Sequence, residues 1–296
     1  MKHKKLHGAG AYIWMPFIYG FSLLPHWIMY GVSDFFYFIL YKVIGYRKKV
    51  VYENLKNSFP EKSHEEIIDL QRKFFRHLVD VMLETVKEFT ISKKSIKKRF
   101  KFTNPEVFQE HYDNGKSVMM MMGHYGNWEY GVTAPLWVPQ ECWAVYGKIE
   151  NPVMDKYLVR TRERFGFTLY PMDKTYDVML NHKQGDKLYM FMADQSPHHA
   201  KIKHWIPFLN QETGVHIGAE KLSKMLDLSV VFIDIQRVKR GYYEITAHTL
   251  FTNPKETEEY EITNKYFEIL EEVIRKKPEN WLWSHKRWKY KRGVKY

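Results

Sequence analysis

From residue 116 onward, short apolar runs alternate with stretches of helical period. Val118–Met122, Cys142–Tyr146, Thr168–Tyr170, Leu188–Ala193 and Ser229–Ile235 read as buried strands. Between them Pro152–Phe165, Tyr176–His182 and His216–Leu226 read as helices. Such alternation predicts an α/β fold, a largely parallel sheet flanked by helices. Gln236 to Thr249, around Arg240-Gly241, predicts a hairpin at one sheet edge, and Thr263 to Lys277 a closing amphipathic helix. Residues 62 to 100 read as helices. Ser63 with Glu66 forms a capping box, and Phe74, Phe75, Leu78, Val79, Met82, Leu83 and Val86 recur at helical spacing as core.

The first forty-odd residues break this pattern. Ala11 to Tyr41 contains no Lys or Arg, and Asp34 is its only acidic residue. The stretch is long enough to span a bilayer. Pro16 and Pro25 should interrupt it, which leaves Trp27 to Ile44 as the better helix. That segment carries Trp27, Tyr30, Tyr37 and Tyr41, in the manner of an interfacial helix. Lys2, Lys4 and Lys5 precede it and Arg47, Lys48 and Lys49 follow, so the charge bias assigns no orientation. The apolar part is too long for a signal peptide, and no small-residue cleavage site follows. The division expected is an anchor or interfacial helix over residues 1–45 and one α/β domain over residues 46–296, with a buried core helix as the competing reading of the first segment.

Charge and aromatic content narrow the partners. The chain of 296 residues carries a formal charge of +12, with nineteen Phe, twenty-one Tyr and nine Trp. Basic plus aromatic fits nucleic acid or an anionic membrane surface. No helix-turn-helix, zinc-finger or aromatic RNA-binding signature is present, and the N-terminal segment decides for membrane over nucleic acid. Lys93, Lys94, Lys97, Lys98, Arg99 and Lys101 read as a solvated face that could also touch lipid headgroups. The single Cys142 excludes an internal disulfide framework and reads as a small core residue.

The chemistry concentrates where the first strand ends, in Gly123-His124-Tyr125-Gly126-Asn127-Trp128-Glu129. A histidine leaving a buried strand can serve as a base. If a helix starts near Asn127, the chain folds back and Glu129 reaches the far ring nitrogen, fixing the tautomer. On spacing alone, a chain with fourteen His also produces such a pair by chance. One His and one carboxylate, without a second His in helical register or a nearby Cys, do not make a metal site, and no cofactor is called for.

The same heptad resembles the catalytic motif of the bacterial lipid A biosynthesis (late) acyltransferases, a His followed after four residues by an acid. Further blocks match in order: Arg47 to Leu55 with Phe59-Pro60-Glu61, Arg162-Glu163-Arg164-Phe165-Gly166, Met192-Ala193-Asp194-Gln195, and Pro278 to Lys289. The resemblance implies the glycerolipid-acyltransferase fold, with the His motif at a strand's C-terminal end. It implies His124 and Glu129 as catalytic base and orienter. Asp194, Gln195 and Asn127, with Arg160 and Arg164 from one helix face, are the candidate substrate contacts. It further implies a membrane-associated enzyme of the bacterial inner membrane, its catalytic domain on the cytoplasmic side. The donor would be acyl carrier protein and the acceptor a lipid A precursor.

No Gly-x-Ser-x-Gly elbow or cysteine-nucleophile signature is present, which favours direct transfer over an acyl-enzyme. The sequence departs from the family at Pro207-Phe208-Leu209-Asn210, where Pro-Phe-Phe-Gly is usual, and again at Glu212 to Ile217. That region is expected to line the acyl or acceptor site, which keeps another membrane lipid open as acceptor. A catalytically inactive, basic membrane-binding protein is the third reading.

Overall fold

The computed structural model describes residues 4–181 and 186–294. Helices α1 (Lys4–Leu23) and α2 (His26–Tyr37) come first, and α2 continues as a π-helix over Phe38–Ile44 that stops at Gly45, φ 66°. Helices α3 (Lys48–Ser58), α4 (His64–Lys87) and α5 (Lys93–Arg99) follow. The chain then enters β1 (Phe100–Phe102), α6 (Glu106–Asp113), β2 (Val118–Met122), β3 (Glu141–Tyr146) and α7 (Pro152–Glu163). Next come β4 (Phe167–Pro171), α8 (Thr175–Asn181), β5 (Lys187–Met192) and a hairpin, β6 (His204–Phe208) and β7 (Gln211–Val215). Helix α9 (Gly218–Leu226), β8 (Ser229–Lys239), β9 (Tyr242–Phe251) and α10 (Glu261–Lys276) complete it.

Seven strands form one sheet in the order β1-β9-β8-β2-β5-β3-β4, and β6 pairs β7 separately. All neighbours in the large sheet are parallel except β8 and β9, which form the expected hairpin but not at the expected edge, because β1 pairs along the outer side of β9. Strand β2 lies centrally, and every residue of it is buried. That explains its unbroken apolar run, since a strand covered on both faces has no polar side. The register pairs Met122 of β2 with Met192 of β5, so these two strands end side by side.

Two expectations are corrected here. Pro16 lies inside α1 rather than ending it; a proline removes one backbone donor, and the helix tolerates the gap. Met82, read as core, faces outward on α4. The buried face of α4 instead carries His77, Asp80 and Glu84 among its apolar residues. The expected helix ending at His182 is α8; His182 itself, like Lys2, lies outside the described residues. The capping box forms as read: Ser63 N donates to Glu66 Oε2 at 2.8 Å and Glu66 N to Ser63 Oγ at 3.2 Å. Cys142 is buried on β3.

Helix α2 is fixed to α4 and the β8–β9 hairpin by polar bonds. Ser33 Oγ donates to Asp80 Oδ1 at 2.6 Å, and Tyr30 OH to Glu84 Oε1 at 2.7 Å. Arg237 and Arg240 close on the same Asp80 carboxylate at 2.7 and 2.6 Å, and Arg240 also holds Asp34 at 2.9 Å. Removing one partner of a buried ion pair strands the other charge. Asp80→Ala is therefore expected to destabilise the fold by about 3 kcal/mol, the low end of that range because Arg240 is partly exposed. Denaturant unfolding in mild detergent measures it, and a loss below about 1 kcal/mol would match an ordinary surface pair instead.

Candidate active site

Strands β2 and β5 end in register, and two residues beyond each paired end lie His124 and Asp194. Their side chains meet. His124 Nδ1 lies 2.6 Å from Asp194 Oδ1, and the His124 backbone N donates to Asp194 Oδ2 at 2.9 Å. Trp281 Nε1 adds a third donor to Oδ2 at 2.9 Å. On the other side of the ring, the Gln195 amide nitrogen lies 3.1 Å from His124 Nε2. A ring that donates from Nδ1 to a carboxylate keeps a lone pair on Nε2, and the Gln195 amide can donate to it. A substrate hydroxyl would take the place of that amide.

The expected contact between Glu129 and the ring is not formed. Glu129 Oε2 accepts from Arg162 Nη2 at 2.9 Å and Oε1 from Trp128 Nε1 at 3.1 Å. The reason is local. Gly126 turns the chain at φ 60°, and Glu129 then opens a 3₁₀ helix, Glu129–Leu136, which aims it at α7. Its charge still acts on His124 from a distance. Asn127, expected to contact substrate, is fully buried. Its Nδ2 donates to Glu84 Oε2 at 2.6 Å and its Oδ1 accepts from Tyr130 N at 3.1 Å, so it shapes the loop.

The loop is held from two further sides. His77 Nε2 lies 3.0 Å from Gly126 O; a carbonyl only accepts, so Nε2 carries the proton. Burial, with Arg237 adding, lowers His77 to about 3, which keeps it neutral. Glu84 collects donors from Tyr30, Asn127 and, at 2.8 Å, Tyr243. Opposite, Gly126 N donates to Asn280 O and Leu282 N to His124 O, both at 3.0 Å. Gly126 has no room for a side chain, because an added Cβ would stand 2.5 Å from Ile235 O. His77, Glu84 and Trp281 were not singled out as site residues from sequence. The signal for the first two was a His and a carboxylate seven apart on the apolar stripe of α4.

Burial alone would lower His124, but the charge and hydrogen bond of Asp194, with Glu129 adding, outweigh it and raise the ring above its ordinary 6.5. Burial pulls Asp194 upward; the charge of His124 and the donors around it overcome this and bring it to about 2. The signs follow from linkage. The raised His124 contributes stability that is complete below about 6.5 and lost as pH rises through its folded value. The depressed Asp194 contributes stability present above 3.8 and lost as pH falls toward about 2. The charged pair is therefore strongest between about pH 4 and 6.5.

Arg160 of α7 and Arg164, the residue that caps its C-terminal end, do lie on one side. They line a cleft of about 640 Å³ whose other walls include Met15, Pro16, Tyr19, Phe89 and Tyr157. Arg164 also donates to the Glu88 carbonyl. Arg162 points elsewhere, to Glu129. The departure at Pro207–Asn210 is turn chemistry. Leu209 and Asn210 both take positive φ, 51° and 59°, between β6 and β7. Asn enters that region more readily than most residues, which suits Asn210 to the turn. The hairpin packs on α10, and Trp288 Nε1 donates to its Thr213 at 2.7 Å. Trp281 and Trp283, from the C-terminal block, are buried. Among the described residues no group of three His, Cys, Asp or Glu is placed to hold a metal ion.

An α/β sheet whose adjacent strand ends present a carboxylate-backed histidine defines a class of site suited to proton removal from a hydroxyl. The family model described as bacterial lipid A biosynthesis acyltransferase matches residues 1–290. The lipid A biosynthesis acyltransferase of Haemophilus influenzae is 22% identical over 236 residues, 78% of this chain and 72% of that protein. The lipid A biosynthesis palmitoleoyltransferase of Escherichia coli K12 is 23% identical over 248 residues, 82% of this chain and 79% of that protein. The chain belongs to the bacterial lipid A biosynthesis acyltransferase family and is an acyltransferase.

A base must be neutral to work, so the acid limb of kcat/KM is expected to follow His124, above pH 6.5. Asp194→Asn removes the larger of the two charges that raise that ring and leaves the burial that lowers it. The limb should move to lower pH while the plateau falls about 10²–10⁴-fold. Glu129→Gln should move it in the same direction by less. The pH–rate profiles of the two variants check this, and a larger loss for Glu129→Gln would reverse the assignment.

Proposed function

We propose that this enzyme transfers a fatty acyl chain from the thioester of an acyl carrier protein to a hydroxyl of a lipid A precursor, at the cytoplasmic face of a bacterial inner membrane. The observation that carries this reading is the His124–Asp194 pair at the ends of β2 and β5, with Nε2 turned to the Gln195 amide. His124 takes the proton of the acceptor hydroxyl at Nε2. The alkoxide attacks the thioester carbon, and the tetrahedral intermediate collapses with expulsion of the thiolate. The imidazolium returns its proton to that sulfur. Asp194 stabilises the imidazolium formed in between, and Glu129 adds a weaker field while holding Arg162.

Membership of the family, and the names of its relatives, support lipid A as the acceptor. The cleft of Arg160 and Arg164 supports it chemically. Guanidiniums beside apolar and aromatic walls suit a molecule that joins phosphates to acyl chains. The +12 charge and the exposed lysines of α5 suit an acidic carrier.

The reaction is tested by mass spectrometry of a lipid A precursor incubated with acyl carrier protein thioester and the purified enzyme. Gain of one acyl group, abolished by His124→Ala, is the expected result. Acylation of another membrane lipid but not of the precursor would move the acceptor assignment, and no thioester consumption would end it. Arg160→Ala and Arg164→Ala are expected to raise the acceptor KM about ten- to a hundredfold, the equivalent of about 1.5–3 kcal/mol for a charge-assisted contact. The carrier KM should stay within a few-fold; the reverse outcome places these arginines at the donor dock.

A further inference from the structure

Resting on the membrane association in that reading, we propose that the segment His26–Ile44 lies in the plane of one leaflet, docked on the catalytic domain, and does not cross the bilayer. By length and composition this 19-residue segment could span. At about 1.5 Å per residue it would reach roughly 28 Å, about the thickness of the hydrocarbon core. Its two faces argue otherwise.

The inner face is bonded to the domain along its whole length. Tyr30 donates to Glu84, Ser33 to Asp80, and Tyr41 OH to Gln71 Oε1 at 3.3 Å. Arg240 reaches across to both Asp34 and the Tyr30 carbonyl. To cross a bilayer, the helix would have to break these bonds or carry Asp80, Glu84, Arg237 and Arg240 into hydrocarbon with it. A charge at the bilayer centre costs several kcal/mol, which neither choice recovers.

The outer face is apolar and open. Trp27, Phe35 and Ile44 are 76%, 61% and 65% exposed, and Phe38 and Val43 stand beside them. The cations gather at its C-terminal end, where Lys42, inside the segment, lies over the Tyr41 ring at 5.6 Å. Lys48 and Arg76 lie over the Tyr41 and Tyr37 rings at 4.3 and 5.0 Å, where the segment ends. An apolar row bordered by aromatic rings and cations matches the boundary between acyl chains and anionic headgroups. The occupant of this face is therefore a phospholipid leaflet containing anionic lipid.

The test is a depth profile. Trp27→Cys, Phe35→Cys, Phe38→Cys and Ile44→Cys, each nitroxide-labelled in the full chain, are reconstituted in vesicles of zwitterionic and anionic phospholipid. Native Cys142 is buried and should stay unlabelled. Power-saturation EPR with oxygen and a polar relaxant then gives each depth. The expected result is one common shallow depth, about 5–10 Å below the headgroups, at all four sites. A gradient with 35 and 38 near the midplane and 27 and 44 at opposite surfaces overturns the inference, while membrane association stands. Protein that does not float with vesicles overturns both. The readout needs no activity, so failure of the acyl-transfer assignment would leave it unaffected.

Discussion

The carboxylate of Asp194 is the point on which the site turns. It is buried, yet it receives three donors: the backbone and ring nitrogens of His124 and the indole of Trp281. A carboxylate so satisfied stays ionised without water, and its charge fixes which ring nitrogen bears the proton. The parallel register of β2 and β5 makes the bond available. Neighbouring strands are about 4.8 Å apart, and equal steps beyond paired ends bring one side chain against the other. No helix has to fold back for this contact to exist.

A second layer holds the histidine loop still. Helix α4 reaches it through His77 and Glu84, and the C-terminal segment through Asn280, Trp281 and Leu282. Glu84 also accepts from Tyr30 of α2. One buried carboxylate thus joins α2, the β8–β9 hairpin and the histidine loop. Its burial disfavours the charged form and raises its pKa, against which the donors of Tyr30 and Tyr243 act.

Much of the fold was legible from periodicity, because buried parallel strands carry unbroken apolar runs and the helices between them do not. All five strands read from those runs are present within a few residues of the expected bounds. Strand order and register were not legible, since no local feature says that β5 inserts beside β2. That is why Glu129, near in sequence, was read as the partner of His124, while Asp194, seventy residues on, takes the contact. The β6–β7 hairpin was also missed. Its two-residue turn places Leu209 at positive φ, an unusual choice that local propensity argues against. On α4 the period was right but the polar residues within the stripe were passed over; His77 and Glu84 join the helix to the histidine loop, and Asp80 joins it to α2 and the β8–β9 hairpin.

Whether Asp194 sets the state of His124 is read by ¹⁵N NMR of the imidazole in selectively labelled enzyme. At a pH where the ring is neutral, a protonated Nδ1 and a bare Nε2 are expected in the wild type and in Glu129→Gln, with that preference lost in Asp194→Asn. A wild-type ring protonated at Nε2, or one whose tautomer changes with Glu129 and not with Asp194, would contradict that role of Asp194.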